Sequence, residues 1–526
     1  MSRPIQVLKR WTVLLHHYLG AALSLLCAMW FITGIVLMYA PFPEFRAERQ
    51  FLRMEPLDCA TCGGRFADVL AAMPERDTTA DPRLGMLLGH PVWRFRGTDR
   101  RTHLVRAEDL SLLDSVSALG ALRLATRYAG FDETSPGAAT RLDAPDQWTV
   151  EGNIREQLPL YRIDFADAAA TRVYVSVVGG EAIAMSTRRE RTLAWLGAIP
   201  HWLYPRLLRV RLSAWTGTVI VLSGLGILLS LSGLAIGLWQ LRFRRHSRAA
   251  SSPLRRSPYR PAWLRWHHYL GLLFGVVTCT WLLSGMLSID PFDWSPGDAP
   301  TSVERLRFAG RARAPARGST PTEVLARVPV DAAVPRELRP ITVGGVAYWS
   351  ITDSLARTAT VADAAPMGGP PTDTLPSAVL SAAIRSLVAE RAIAHVDTLR
   401  AYDDYYRDAR PLPVVRVALA DRDRTAYYID PHSGAIAMKQ VRRSRWERWL
   451  YTGLHDFDFA WLMSRRPLWD VVVILLSLGG LALTVSGVLV GWRWLAPALG
   501  LRAAARGCAP VTNLLRAIPA GAGSGS

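Results

Sequence analysis

The chain has 526 residues, half of them hydrophobic, with 19 Trp and a formal net charge of +18. Length alone would allow three or four soluble domains. Four runs free of Asp, Glu, Lys and Arg, at 11–43, 213–241, 266–289 and 471–492, exclude a wholly soluble protein, because about 20 apolar residues already span a bilayer core as a helix.

The first run is too long for a signal peptide, and no small-residue cleavage site closes it before "PFPEF", so it reads as a retained membrane helix. The segment 44–212 follows, and it contains "CATC" at Cys59 and Cys62. A c-type haem attachment needs His directly after the second Cys, but Gly63 stands there. A small structural disulfide is the preferred reading, with a redox pair or metal site as the alternatives. "ADVLAAMP" (67–74) suggests a short helix. "TRVYVSVVGGEAIAMS" (171–186) reads as strand, Gly-containing turn, strand.

After the second apolar run, residues 242–265 carry eight Arg and no acid. Short basic segments beside membrane spans stay cytoplasmic. The termini are basic as well, at Arg3, Lys9, Arg10 and at Arg493, Arg502, Arg506. Both termini and the 242–265 linker are therefore placed inside, and 44–212 and 290–470 outside. The charge belongs to membrane topology, and no nucleic-acid role follows from it. In the second long segment, residues 310–322 and 363–375 read as loops. "PSAVLSAAIRSLVAE" (376–390) suggests an amphipathic helix, and "RTAYYIDPHSGAIAMK" (424–439) a second strand–turn–strand unit. Cys27 and Cys279 lie in apolar runs and read as packing residues.

The chain repeats itself. "HHYLGAALSLLCAMWFITGIVLM" (16–38) aligns without a gap on "HHYLGLLFGVVTCTWLLSGMLSI" (267–289). At a shift of 254, His201 matches His455, Trp215 matches Trp469, and Ser232-Gly233 matches Ser486-Gly487. Each half reads as helix, outer domain, histidine, helix. The fold class is a four-helix transmembrane bundle made of two parallel repeats, each with an outer α+β domain. The boundaries are 1–43 (tail and first helix), 44–212, 213–241, 242–265, 266–289, 290–470, 471–494 and 495–526.

Six of the 11 histidines occupy the repeated positions: His16, His17, His267, His268, His201 and His455. Histidine in or beside a membrane helix is costly without a polar partner or cofactor. Residues four apart share a helix face. From His16 that face carries Gly20, Ser24 and Ala28, and from His267 it carries Gly271, Gly275 and Cys279. Small residues leave room for a flat macrocycle or for a neighbouring helix. His16 and His267 are thus the first-choice ligands of an inner haem, with His17 and His268 as alternatives or second-rank donors. His201 and His455 would hold an outer haem. Two imidazoles per iron favour electron transfer. Zinc or copper is the rival metal. Trp195, Trp202, Tyr204, Trp449, Tyr451, Phe457, Phe459 and Trp461 flank the outer histidines, as an interfacial belt or as a haem wall. No nicotinamide, flavin or ATP motif is visible, so electrons would need a separate donor, a cytoplasmic reductase or quinol.

"HHYLG" with a following Thr/Ser-Gly helix ("FITGIVL", "WLLSGML"), the "YVSVVGGEAIAM" and "YYIDPHSGAIAM" units, "IPHWL" and "GLHDF" resemble the PepSY-associated transmembrane family over residues 10–495. That family's pattern has His four residues before Gly, here His16 and His267. The resemblance implies a bacterial inner-membrane protein with periplasmic PepSY-like domains. It implies b-type haems between four helices and reduction of a ferric siderophore or other ferric chelate, which releases the iron. The Arg-rich outer segments and the "CATC" depart from the pattern. Two other readings remain open. One is a PepSY binding or regulatory protein anchored by its helices, and the other is a metal permease or chaperone.

Overall fold

The computed structural model describes residues 3–43, 47–62, 64–72, 82–96, 102–241, 257–310, 318–329, 333–363, 371–407 and 410–498. Most of the basic linker, and the tail with Cys508, lie outside the described residues. The chain divides into two compact units. One comprises Met1–Pro41, Leu193–Ser295 and Trp446–Ser526, the other Phe42–Thr192 and Pro296–Arg445.

The first unit is built on four helices long and apolar enough to cross a membrane: α1 (Arg3–Leu37), α2 (Leu212–Gln240), α3 (Ala262–Leu287) and α4 (Leu468–Ala498). Their side chains are sorted inside out. Leu25, Val221, Leu273 and Leu475 are exposed, while Ser24, Thr33, Ser232, Ser284 and Thr484 are buried. A lipid surround favours that arrangement: large apolar groups outside, with small and hydroxyl side chains between helices. The hydroxyls are satisfied locally, as where Thr33 Oγ1 donates to the Met29 carbonyl at 2.8 Å.

α1 packs on α2 and α4, and α3 packs on the same two helices. α1 and α3 therefore face each other across the centre, where Phe31 and Trp281 meet at 5.8 Å between ring centroids. Two adjacent glycines of α4 make this closeness possible. A Cβ on Gly480 would stand 2.2 Å from Phe31 Cζ, and one on Gly479 would stand 2.1 Å from Phe274 Cε1. Each glycine seats a ring from a different helix.

Among the described residues, the second unit carries three antiparallel sheets. Its strands are β1 (Arg83–Leu87), β2 (His90–Arg96), β3 (Thr102–Arg106), β4 (Leu112–Leu113), β5 (Gly137–Leu142), β6 (Leu160–Phe165), β7 (Arg172–Ser176), β8 (Ala182–Ser186), β9 (Pro335–Val343), β10 (Val346–Asp353), β11 (Thr358–Ala362), β12 (Ile393–Leu399), β13 (Val414–Leu419), β14 (Ala426–Ile429) and β15 (Ile436–Gln440). The sheet orders are β11-β10-β9-β1-β2-β3-β4, β5-β6-β7-β8 and β12-β13-β14-β15. The helices Ala118–Ala129 and Ser377–Val388 contribute to the cores beside the two four-stranded sheets.

The segments 44–212 and 290–470, each read from the sequence as an outer domain, contribute strands to one sheet. β1 pairs with β9 at Leu84 and Leu338, so one seven-stranded sheet joins both halves. The two residues stand 254 apart, the same offset that relates His201 to His455. Each half thus presents the same strand to its counterpart, as an isologous dimer does. The unit boundaries also fall at 192/193, 295/296 and 445/446. Residues 193–211 and 446–467 group with the long helices.

Beneath the shared sheet, Trp93, Trp349, Phe95 and Leu338 form a core that also buries Cys59 and Cys62. These cysteines are joined as a disulfide. The Thr322 hydroxyl donates to the Cys59 carbonyl at 2.7 Å, which links the two halves again.

The helix Ser302–Ala309 begins with a capping box between Thr301 and Glu304. Glu304 also accepts from Tyr427 Oη at 2.6 Å and pairs with Lys439 Nζ at 2.8 Å. Burial works to raise its pKa, but the bonds from Lys439, Tyr427 and Thr301 outweigh burial and hold it at about 2. The folded pKa lies below the ordinary value of 4.5. The stabilisation is therefore complete above that value and is lost as pH falls toward 2. Glu304→Gln should flatten the acid limb of this unit's unfolding curve between pH 4.5 and 2, and lower stability at pH 7 by about 2 kcal/mol. Urea melts followed across that range check both expectations.

Candidate functional site

Different backbone devices position the four repeated histidines. His16 and His267 project from α1 and α3, the two diagonal helices, and their ring centroids are 6.2 Å apart. His201 ends the one-turn helix Ala198–His201. His455 follows a six-residue π-helical turn, Arg448–Gly453, an irregularity common at functional sites. Their centroids are also 6.2 Å apart. Both segments are pinned to a long helix. Trp215 Nε1 donates to the Trp202 carbonyl at 2.9 Å, and Trp469 Nε1 donates to the Asp456 carbonyl at 2.9 Å. The structure thus brings the histidines together as two pairs, each with one residue from each half. Thr33 meets His201, and lies 17 residues along α1 from His16, so the pairs are about 25 Å apart at 1.5 Å per residue.

Every Nδ1 faces a neighbouring helix of the same half. His16 Nδ1 lies 3.1 Å from Leu229 O and 3.3 Å from Ser232 Oγ on α2. His267 Nδ1 lies 2.8 Å from Ser486 Oγ on α4. His201 Nδ1 lies 3.2 Å from Trp30 O and 3.1 Å from Thr33 Oγ1 on α1. His455 Nδ1 lies 3.0 Å from Ser284 Oγ on α3. In each case the residue after the hydroxyl is glycine. A Cβ there would stand 2.6 Å from His16 Cε1 at Gly233, 3.2 Å from His201 Cε1 at Gly34, 3.2 Å from His455 Cε1 at Gly285, and 3.6 Å from His267 Cε1 at Gly487. Outside the four long helices, burial lowers His201 to about 4, with His455 adding to the effect, and burial lowers His455 likewise. Both rings are neutral near pH 7 and keep one nitrogen lone pair.

The spacing within a pair has a chemical meaning. A metal–imidazole bond is about 2.0–2.1 Å and a ring nitrogen stands roughly 1 Å from its ring centre, so two imidazoles sharing one metal end-on have centroids roughly 6 Å apart. Among the described residues no three His, Cys, Asp or Glu gather as a metal-binding group. Two protein ligands fall short of the three or four a zinc site takes. They suit a metal whose other ligands come with it, as the axial pair of a haem does.

His268 is differently engaged. Its Nε2 lies 2.9 Å from Gly237 O and its Nδ1 3.0 Å from Ser257 Oγ, so both nitrogens are taken. His17 stacks on Trp494 at 6.2 Å. The small-residue faces also divide. A Cβ added at Gly20 or Gly271 would meet a leucine methyl no nearer than 3.8 Å, whereas one on Gly275 would meet Leu234 at 2.9 Å, a helix–helix contact. Of the flanking aromatics, Tyr451 lies 5.9 Å from His455 and Phe457 lies 5.7 Å from Trp281. Trp195 and Trp461 are exposed.

The sequence reading paired Ser232-Gly233 with Ser486-Gly487 and noted the Thr/Ser-Gly helices, but gave these dipeptides no role. Their signal was a hydroxyl–glycine step in each of the four long helices at repeat-related places. In the second unit, a cleft of about 210 Å³ is lined by Arg83, Arg94, Arg96 and Arg339. Glu181, Glu337 and Glu156 meet those charges, so the arginines are committed to the fold.

Comparison of the chain with family models, curated proteins and solved structures finds no match.

Proposed function

We propose that the chain is a haem-b oxidoreductase of the bacterial inner membrane, passing electrons to a ferric siderophore or other ferric chelate on the periplasmic side. The carrying observation is the pair of facing histidine pairs, each with centroids 6.2 Å apart and stacked along four apolar helices. The four helices form a transmembrane bundle of two parallel repeats. The basic linker and both termini are cytoplasmic, and the two outer segments, PepSY-like, are periplasmic.

The residues fit such a group in two further ways. Glycine stands where any Cβ would crowd an imidazole, at Gly233, Gly34 and Gly285. Trp30 Nε1 and Trp281 Nε1, repeat-related and buried, have no hydrogen-bond partner among the described residues. A buried unsatisfied donor calls for an acceptor, and a bound group would bring one. Haem b supplies one-electron chemistry when bound. His16 and His267 would hold one haem, His201 and His455 the other. The chain's own residues orient the rings, exclude water between helices, and leave the reacting iron chelate outside the bilayer. The donor of electrons is a separate protein or quinol.

The test is an absorption spectrum of the detergent-purified protein, oxidised and then dithionite-reduced, with haem quantified per chain. Low-spin b-type bands and about two haems per chain support the reading. A colourless protein from haem-replete cells overturns it in favour of a PepSY binding protein.

A further inference from the structure

At each of the four histidines the acceptors leave only one tautomer. Ser232 Oγ donates to the Leu229 carbonyl at 2.9 Å, Ser486 Oγ to Leu483 O at 2.6 Å, Ser284 Oγ to Trp281 O at 3.2 Å, and Thr33 Oγ1 to Met29 O at 2.8 Å, with Trp30 O at 3.2 Å. Each hydroxyl has thus spent its proton on a carbonyl one turn back. It can only accept from the imidazole, and the carbonyl beside it can only accept too. A neutral histidine satisfies such a site through Nδ1–H, which leaves the lone pair on Nε2. In water the free ring favours the opposite tautomer. At Gly34, Gly233 and Gly285 the missing Cβ lets the ring edge approach closely enough for the bond to form, whereas at Gly487 a Cβ would stand 3.6 Å from the His267 ring, an ordinary contact.

We infer that Thr33-Gly34, Ser232-Gly233, Ser284-Gly285 and Ser486-Gly487 are positioning clamps that fix all four histidines as Nε2 ligands before any group binds. The inference rests on the haem reading for its purpose but not for its geometry. Each half clamps its own two histidines on its own two long helices, and each ligand pair combines one ring from each half. A preset ring avoids an ordering cost when the metal arrives, and its Nδ1 hydrogen bond raises the basicity of Nε2.

Two measurements separate the clamp from the haem reading. The first is nitrogen NMR of histidine-labelled protein in nanodiscs, prepared from haem-depleted cells. Four Nδ1–H rings support the clamp whether or not the protein later takes up haem, and rings averaging between tautomers overturn it. The second compares Ser486→Ala and Ser486→Thr in the haem-loaded protein by spectroelectrochemistry. The alanine variant should raise the potential of one haem as the ferric state loses affinity, with the other haem unmoved and threonine restoring the value. A tenfold change in the ferric-to-ferrous affinity ratio corresponds to 59 mV for one electron. Unchanged potentials in Ser486→Ala and in the matching Ser232→Ala overturn the clamp. Four fixed Nδ1–H rings in a protein that binds no haem overturn the haem reading alone.

Discussion

Alanine at His16 or His267 should lower the haem content from two per chain to one, while the protein still inserts and the second haem keeps its bands. The expectation follows from how the pairs are separated. The two rings of a pair are within 6.2 Å of each other, while the pairs lie about 25 Å apart along α1. Losing one ring leaves a single axial ligand at that level and touches nothing at the other. His201→Ala and His455→Ala should remove the complementary haem. His16→Ala with His267→Ala should do no more than either alone, because both act on one site. The control is His268→Ala. That ring already spends Nε2 on Gly237 and Nδ1 on Ser257, so both haems should stay. Haem assays on the purified variants decide the matter. Full haem content in all four single-alanine variants of the paired histidines would show the ligand assignment to be wrong.

The histidine pairs were legible because duplication exposes them: the same residues recur at 251 and 254 positions' distance, next to apolar runs that composition alone delimits. The strand–turn–strand units were legible for a local reason, since alternation and a glycine turn need no distant partner. β7 and β8 fall inside 171–186, and β14 falls inside 424–439 with most of β15. What stayed hidden depends on distant contact. Nothing in the alternation of β1 or β9 says that Leu84 will face Leu338, because local pattern tells which strand face is buried and not which edge pairs. The hydroxyl–glycine clamps stayed hidden for a similar reason. A Ser-Gly step in an apolar helix first suggests close helix packing, and only the approach of a ring from another element distinguishes the two uses.

Arg94→Ala should be the most damaging single change in the second unit, lowering its stability by about 3–5 kcal/mol without altering the four long helices. Arg94 is 3% exposed, and its Nε and Nη2 are both engaged. It donates to the carbonyls of Gly179 (3.1 Å), Gly180 (3.3 Å) and Met86 (3.2 Å), and pairs with Glu181 at 3.1 Å. Gly179 and Gly180 form the turn between β7 and β8, so one side chain ties that four-stranded sheet to β2 of the shared sheet. Glu181 in turn meets Arg83, which reaches Glu337, which Arg339 bonds. Burial works to raise the Glu181 pKa, but the charges of Arg83 and Arg94 outweigh it and hold the carboxylate below its ordinary value. Removing Arg94 leaves that buried charge under-compensated and takes a donor from each of three carbonyls. Lysine should rescue poorly, because its single ammonium cannot span acceptors that the planar fork reaches together. Limited proteolysis of the intact protein, read as cleavage within Phe42–Thr192, measures the loss. Wild-type protease resistance in Arg94→Ala would mean that the Arg83–Glu181 pair carries the contact alone.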